Sequence, residues 1–340
     1  MEKRNAYIKA VGMYVPDKVV TNDDLAKVMD TNDEWIVQRT GIHERHYADV
    51  GVATSDLALE AIKNLLGKGA VRAEEIDCII FATLSPDQLF PGSGMFLQDK
   101  LGWSERCIPC YDIRQQCSGF VYGMQMAQAF VETGMYDNVL LVGAEVHSHG
   151  LDFSDRGRSV TVLFGDGAAA VVVSPSDSEQ SRILHSEVYA DGTGALNGVH
   201  TILFDISKQP VIDYDPANFE TNADMFPAMP APKNLFVNAV TRMSEVVLSS
   251  LDRVGLSVAD VDWVLPHQAN MRINSMMAHN VDIPDEKVLY NIHKFGNTTA
   301  ATIPLLLAEF VDNGTIKRGD LLLMVAFGAG FTWGSVLLRY

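Results

Sequence analysis

The chain has 340 residues, 47% of them hydrophobic and 20% charged, with a net charge of −17 at pH 7. This composition predicts a globular protein with room for two halves around a shared core, and the acidic charge excludes general nucleic-acid binding, which needs basic side chains. The opening stretch predicts no signal peptide, no run reaches the ~20 apolar residues of a membrane span, and four cysteines predict reduced thiols in the cytoplasm.

Predicted elements repeat in the same order along the two parts of the chain. Residues 56–86 predict an amphipathic helix, a linker and an apolar strand, and residues 239–269 repeat that order. Residues 110–134 predict a β-like segment, a turn of small residues and a helix that ends at a glycine, and residues 289–314 match them. The matched pairs predict a duplicated α/β unit.

The duplication divides the chain into three predicted parts. The N-terminal half, 1–175, carries a candidate nucleophilic cysteine, and the C-terminal half, 235–340, carries a candidate histidine and asparagine. Within the connecting segment 176–234, residues 214–234 are rich in Pro, Asn and Asp without a clean period, which predicts a loop. Long loops in compact domains often cover sites, so we expect this segment to form a pocket wall or lid.

Cys117, in the stretch QQCSGF, lies where the β-like segment gives way to a helix. Unpaired N–H groups at a helix start favour thiolate over thiol. Ser118 and Gly119 leave little bulk beside the sulfur, so a carbonyl group has room to approach. The alternative is a buried structural cysteine, and Cys117 alone does not decide between the two.

His267 and Asn297 provide partners for this cysteine from the second half. His267 follows the predicted strand VDWVL, at the carboxyl edge where α/β sheets bind ligands. Asn297 precedes the helix that matches the helix of Cys117, one position further along. Individually these residues also suit a hydrogen-bonded loop and a helix cap. Their matched positions predict that the three side chains converge on one crevice between the halves.

Two other pairs of metal-binding residue types occur in the chain. Cys107 and Cys110 form a C-x-x-C pair, and His147 and His149 form an H-x-H pair. Neither pair has a second set of ligands at suitable spacing. We therefore predict no metal site, and we interpret the two histidines as loop residues near the pocket.

The stretches QQCSGF, PHQAN and FGNTTAATIP resemble the Cys, His and Asn motifs of the β-ketoacyl-acyl carrier protein synthase III family of thiolase-fold condensing enzymes. The likeness continues through DEWIVQRTGIHERH, FGDGAAA and AFGAGFTWGSVLLRY, and covers nearly the whole chain in order. It implies an α/β thiolase fold with duplicated αβαβα layers and two halves related by a pseudo-twofold axis. It also implies a cytoplasmic homodimer.

The resemblance implies an acyltransferase that needs no metal and no cofactor. Cys117 would take the acyl group from acyl-CoA, while the backbone amides of Cys117 and Ala329 bind the oxyanion. A malonyl thioester, carried on CoA or on acyl carrier protein, would then lose CO₂. His267 and Asn297 would stabilise the enolate, which attacks the acyl-enzyme to give a β-ketoacyl thioester.

The resemblance also implies positions that bind CoA or substrate: Trp35, Arg39, Arg156, Arg158, Arg272 and Phe90. Trp35 would stack on the CoA adenine with an arginine on its other face, for which Arg156 is the match and Arg158 a near equal. The other two arginines would lie toward the phosphates. Phe90 resembles an aromatic residue that crosses the dimer interface to close the acyl pocket, although a packed core ring is an equal alternative.

One departure from the family pattern bears on the substrate. Val237 stands where typical members have a basic residue that docks the acidic carrier, and Arg272, Lys233 and Lys294 offer only a smaller basic patch. This favours a specialised condensing enzyme of secondary metabolism. Alternatives are acyl transfer to an alcohol or amine, hydrolysis, and non-decarboxylative condensation. A non-catalytic partner subunit is disfavoured by the intact cysteine, histidine and asparagine.

Overall fold

A computed structural model describes residues 4–195, 229 and 231–340. The strands are β1 (Asn5–Tyr14), β2 (Val19–Thr21), β3 (Glu44–His46), β4 (Cys78–Ala82), β5 (Cys110–Ile113), β6 (Val139–Glu145), β7 (Gly167–Ser176), β8 (Arg182–Ala190), β9 (Trp263–Pro266), β10 (Leu321–Gly328) and β11 (Thr332–Arg339). The helices are α1 (Asn22–Leu25), α2 (Asp33–Thr40), α3 (Thr54–Gly67), α4 (Ser93–Lys100), α5 (Gly119–Glu132), α6 (Arg158–Thr161), α7 (Pro232–Arg253), α8 (Met271–Asn280), α9 (Ile292–Phe295) and α10 (Thr302–Asp312).

Two large sheets repeat one topology. The first has the strand order β1-β7-β6-β4-β5, and the second has the order β8-β11-β10-β9. In each sheet the first three strands pair antiparallel, and the next pairing, β6 with β4 or β10 with β9, is parallel. The second sheet therefore matches the first strand for strand except for β5. The predicted duplication is confirmed.

The core between the sheets contains α5 and α10. Met124 of α5 and Leu306 of α10 pack with Leu141 of the first sheet and Met324 of the second. Strands β4, β6 and β10 are buried along their whole length, which explains their continuous apolar sequences.

The outer faces of the two sheets are covered by the remaining long helices. Helices α3 and α4 pack on the first sheet, and α7 and α8 pack on the second. The resulting order of layers is helix, sheet, helix, sheet, helix. The predicted αβαβα thiolase architecture is therefore confirmed. None of the helices in the described ranges is both long enough and apolar enough to cross a membrane.

The predicted connecting segment 176–234 is too broad. Strand β8 lies within it and pairs with β11, where it is the counterpart of β1 in the first sheet. As an edge strand with mixed burial it carries a weak hydrophobic pattern, so the sequence offered little sign of it. Helix α7 also begins inside the segment. Residues 196–228 and 230, where the lid or pocket wall was predicted, lie outside the described residues.

The two matched β-like segments differ in the structure. The segment of the first half is strand β5, whereas its counterpart near residue 289 is not a strand. This counterpart makes a single bridge between Val264 and Val288 before α9 begins. The side-chain Oε1 of Gln268 accepts from the backbone N–H groups of Asn291 and Ile292, at 3.3 Å each. Because that side chain occupies the donors, the sheet ends one strand earlier in the second half.

The predicted alignment of α5 with α10 is also wrong at the starts of the two helices. Both helices end at glycines with positive φ, Gly134 and Gly314, as predicted. However, α5 has 14 residues and α10 has 11, so the second helix starts about one turn later in the match. The 3₁₀ turns that precede them begin at Gln116 and Thr299, with φ of 44° and 38°. Asn297 therefore precedes its turn, whereas Cys117 lies inside the matching one.

Candidate active site

Cys117 lies in the 3₁₀ turn that joins β5 to α5. The Ser118 hydroxyl holds this turn, 2.7 Å from the Thr332 hydroxyl and 2.9 Å from the Gln115 carbonyl oxygen. The start of α5 is closely packed, because a Cβ on Gly119 would lie 3.3 Å from the Ala82 Cβ and 3.4 Å from the Ala300 Cβ. The turn of the second half therefore packs directly against the helix start behind the cysteine.

The end of β10 approaches Cys117 from the other side. A Cβ on Gly328 would lie 3.2 Å from both the Cys117 nitrogen and its Cβ, so this contact needs glycine. The backbone N–H groups of Ala329 and of Cys117 itself both donate toward the sulfur. They are the two amides that the resemblance implies for an oxyanion hole.

The thiol of Cys117 differs from its sequence-based expectation. Burial, reinforced by the negative charge of Glu145, raises the pKa of Cys117 to about 12, although the two backbone donors act in the opposite direction. The desolvation of the sulfur thus outweighs the helix start that was expected to favour thiolate. The resting residue is a protonated thiol, which needs a proton acceptor when it reacts.

His267 follows β9 and is only 2% exposed. Its backbone N–H donates to the Val325 carbonyl of β10, and its Nδ1 lies 2.7 Å from the Thr302 hydroxyl. Its Nε2 is buried without a hydrogen-bond partner among the described residues. Burial lowers the pKa of His267 to about 3, so the imidazole is neutral at pH 7.

Asn297 is buried, and hydrogen bonds made by its backbone hold it in place. Its N–H donates to the Leu163 carbonyl at 2.8 Å, and its carbonyl accepts from the Gly165 N–H at 3.1 Å. Its Oδ1 accepts from the Thr299 N–H at 2.9 Å. With the oxygen engaged in this way, the side-chain NH₂ is the group that Asn297 can offer to a bound molecule.

Two threonines join the histidine to the asparagine. Thr302 Oγ1 lies 2.9 Å from the Thr299 carbonyl oxygen and also meets His267, while the Thr299 N–H meets Asn297. The turn that contains Thr299 packs against the turn that contains Cys117. A thiol under two backbone donors, a neutral imidazole and a carboxamide thus lie on adjoining elements of the two halves.

Comparison with known proteins agrees with this geometry. Residues 111–192 match the family 3-oxoacyl-[acyl-carrier-protein (ACP)] synthase III, and residues 251–340 match the C-terminal region of that synthase. The β-ketoacyl-[acyl-carrier-protein] synthase III 1 of Bacillus anthracis is 41% identical over 336 residues, which cover 99% of each chain. The chain belongs to the 3-oxoacyl-[acyl-carrier-protein] synthase III family. It is an acyltransferase-type condensing enzyme.

Two solved structures bear out the fold of this synthase. The crystal structure of 3-oxoacyl-[acyl-carrier-protein] synthase III from Aquifex aeolicus superposes with a TM-score of 0.87 at 41% identity, covering 98% of this chain and all of that one. The priming β-ketosynthase of the R1128 polyketide pathway has the same TM-score at 30% identity and covers 99% and 97% of the two chains. The thiolase fold is thus shared with both.

Three of the predicted CoA-binding residues lie together, because Arg39 and Arg158 both contact the ring of Trp35. The guanidinium of Arg158 lies 5.0 Å from the centre of the Trp35 ring, whereas Arg156 Nε lies 2.6 Å from Asp152 Oδ2. The ring contact therefore favours Arg158 over Arg156 as the arginine beside Trp35. Arg39, expected near the phosphates, also lies over that ring at 4.4 Å because it is one helical turn away.

Arg272 and Phe90 occupy different parts of the surface. Arg272 lines a groove between α2 and α8 together with Val37, Gln38 and Met271, next to the helix that carries Trp35. Phe90 is 83% exposed, so the alternative of a packed core ring is wrong.

Sequence reasoning missed three polar residues of this site: Glu145, Thr299 and Thr302. Glu145 ends an apolar strand, Thr299 precedes an apolar helix and Thr302 begins it, so each resembles an ordinary boundary residue. The available signal was the carboxylate that follows VLLVGA, because an acidic side chain at the end of a fully buried strand requires donors around it.

Proposed function

We propose that this synthase condenses an acyl-CoA with a malonyl thioester, with loss of CO₂, to give a β-ketoacyl thioester. Cys117 would carry the acyl group, and His267 and Asn297 would serve the condensation. The observation that carries the proposal is the buried thiol beneath two backbone N–H donors, on a turn that packs against the turn linked to the histidine and asparagine. We place the reaction in fatty-acid synthesis in the cytoplasm, with no cofactor.

In the first step the Cys117 sulfur attacks the thioester carbonyl of acyl-CoA. The thiol proton passes to His267 Nε2, and the carbonyl oxygen becomes an oxyanion that accepts from the N–H groups of Cys117 and Ala329. Collapse of this adduct breaks the bond to the CoA sulfur, which departs with the proton held on His267. The enzyme is left with an acyl-Cys117 thioester.

The hydrogen bonds around His267 support its role as proton acceptor. Because the Thr302 hydroxyl donates to the Thr299 carbonyl oxygen, it accepts from the Nδ1–H of His267. This assignment leaves a lone pair on Nε2, the nitrogen with no partner in the described part of the chain. A neutral imidazole in that tautomer can take the thiol proton directly.

In the second step the malonyl thioester loses CO₂, and the electrons of the broken carbon–carbon bond form an enolate. Its oxygen accepts from the Asn297 amide and from the Nε2–H of His267, which has taken a proton from solvent and still donates from Nδ1 to the Thr302 hydroxyl. The enolate carbon attacks the acyl carbonyl on Cys117. The β-ketoacyl thioester departs, and the sulfur takes the proton from His267 Nε2.

A second candidate is the same chemistry in a specialised pathway. A priming polyketide ketosynthase has the same fold at 30% identity, so this fold also serves such a pathway. The surface offers a further reason, because Val237 is exposed where a carrier-docking cation was expected and Lys294 pairs with Glu309. One of the three residues of the basic patch predicted to bind a carrier, Lys294, is thus paired with a carboxylate of this chain.

The proposal is tested with a malonyl thioester labelled in its free carboxyl carbon. We expect the wild-type enzyme to release labelled CO₂ and form β-ketoacyl thioester in equal amounts, and only when acyl-CoA is present. Supplying the malonyl group on CoA or on acyl carrier protein distinguishes the two donors by kcat/KM. An acyl ester, amide or free acid formed without CO₂ would contradict condensation and support the acyl-transfer alternatives.

Arg158→Ala is expected to raise the KM for acyl-CoA about tenfold with little change in kcat, because an arginine over an aromatic ring contributes about 1–2 kcal/mol when desolvated. Arg156→Ala provides the matched control, since its guanidinium meets Asp152. Steady-state kinetics with varied acyl-CoA measure both variants. An equal or larger rise in KM for Arg156→Ala would reverse the assignment.

A homodimer is part of the proposed function. Leu89 and Phe90 are 57% and 83% exposed on one loop, with the exposed Met95 close behind in α4, and exposed apolar clusters of this kind mark protein interfaces. Phe90→Asp is therefore expected to weaken a dimer at least tenfold in analytical ultracentrifugation. Val50→Asp, at another exposed apolar position, serves as the control. A wild-type monomer at micromolar concentration would contradict the proposal.

A further inference from the structure

Glu145 is a fully buried carboxylate in the floor of the site. It ends β6, is 0% exposed, and accepts from the backbone N–H groups of Leu84 and Ser85 at 3.0 Å. The hydroxyls of Ser85 and Thr83 donate to it as well, at 2.6 and 3.1 Å. An ionised carboxylate only accepts hydrogen bonds, so this set of donors suits it.

The remaining oxygen of Glu145 faces the second half of the chain. Its Oε1 accepts from the Thr299 hydroxyl and, at 3.4 Å, from the Ala300 N–H. The imidazole of His147 completes the cluster, with Nε2 3.0 Å from Thr299 Oγ1 and 3.9 Å from Glu145 Oε2. The carboxylate therefore joins the two halves at the turn that precedes α10.

Thr299 is the residue through which Glu145 reaches the site. Its φ of 38° lies in the left-handed region, which a β-branched residue adopts only when its surroundings hold it there. In this conformation the Thr299 N–H meets Asn297 Oδ1 and its carbonyl meets the Thr302 hydroxyl, which bonds His267 Nδ1. The Thr299 N–H thus fixes Asn297 directly, whereas the Thr299 carbonyl reaches His267 only through Thr302.

We propose that Glu145 is a positioning residue for the condensation step, acting through Thr299 on the orientation of Asn297. This inference rests on the proposed function. Cys117 lies outside this chain of hydrogen bonds, because its turn is held by Ser118. The acylation step therefore needs Glu145 less than the condensation step does.

The expected signature is a separation of the two half-reactions. In Glu145→Gln the amide cannot accept from all the donors that meet the carboxylate, so Thr299 loses its anchor. We expect the kcat of condensation to fall about 10- to 100-fold, while covalent labelling by acyl-CoA stays within about threefold of wild type.

Glu187→Gln is the matched control. Glu187, in β8 of the second sheet, is also a buried carboxylate, 8% exposed. It accepts from the hydroxyls of Tyr189 in β8 and Ser250 in α7, away from the turn of Thr299. We expect it to change both half-reactions by less than about twofold, whatever its effect on thermal stability.

The outcomes separate this inference from the proposed function. If Glu145→Gln slows both half-reactions equally, the positioning role is wrong. If the variant does not fold, Thr299→Val and Thr299→Ser decide, because serine keeps the hydroxyl and is expected to retain condensation, whereas valine loses it. A Thr299→Val enzyme with wild-type condensation would overturn the proposal. A wild-type enzyme that takes no acyl label would instead refute the proposed function.

Discussion

Cys117→Ala is expected to lower the kcat/KM of condensation by about 10⁴-fold or more, because no other residue would hold the acyl group between the two substrates. The substitution only shortens a side chain and keeps its Cβ, so it introduces no new contact in the site. The enzyme should therefore fold normally and bind acyl-CoA. The rate of β-ketoacyl thioester formation measures the loss.

Cys107→Ala is the control for this experiment. Cys107 is a free, exposed thiol outside the candidate site, so its removal should leave the rate within about twofold of wild type. Condensation that persists above a tenth of the wild-type rate in Cys117→Ala would show that the nucleophile lies elsewhere.

The Asn297→Ala and His267→Ala variants are expected to lower condensation by about 10²- to 10⁴-fold, because each removes a donor to the enolate oxygen in a water-excluded site. The two should differ in the acylation step. Asn297→Ala should still form the acyl-enzyme at a rate near wild type, since the proton acceptor is intact. His267→Ala should acylate slowly, because the Cys117 thiol, with a pKa of about 12, has lost its base.

Rapid-quench labelling followed by steady-state turnover measures both steps in these variants. Exposed His149 provides the control, and His149→Ala should leave both rates unchanged. If Asn297→Ala blocks acylation as completely as condensation, the division of roles between the two residues is wrong.

Much of the fold followed from internal repetition in the sequence. Two helices and their following strands recur in the same order, and this order is what the two matched sheets require. Cys117 and His267 could be selected because each lies at an end of a predicted element in matched halves. The family motifs then showed that nearly the whole chain resembles this synthase family.

Other features depended on distances that a sequence does not record. The start of α10 was predicted too early. When the glycines that end α5 and α10 are aligned, α10 begins about one turn later than α5, because it is about one turn shorter. The thiol was expected to be acidic because the helix start was visible and the burial of its sulfur was not. Glu145 escaped notice because its donors come from two segments, residues 83–85 and 299–300, that are far from it in the sequence.

The account is tested most directly by locating the acyl group on the protein. The enzyme is incubated with acyl-CoA without a malonyl thioester, digested, and its peptides are sequenced by mass spectrometry. We expect one acyl group per chain, on Cys117, and its disappearance once a malonyl thioester is added. An unmodified Cys117 after prolonged incubation, or an acyl group on Cys107 or Cys110 instead, would contradict the assignment of this site.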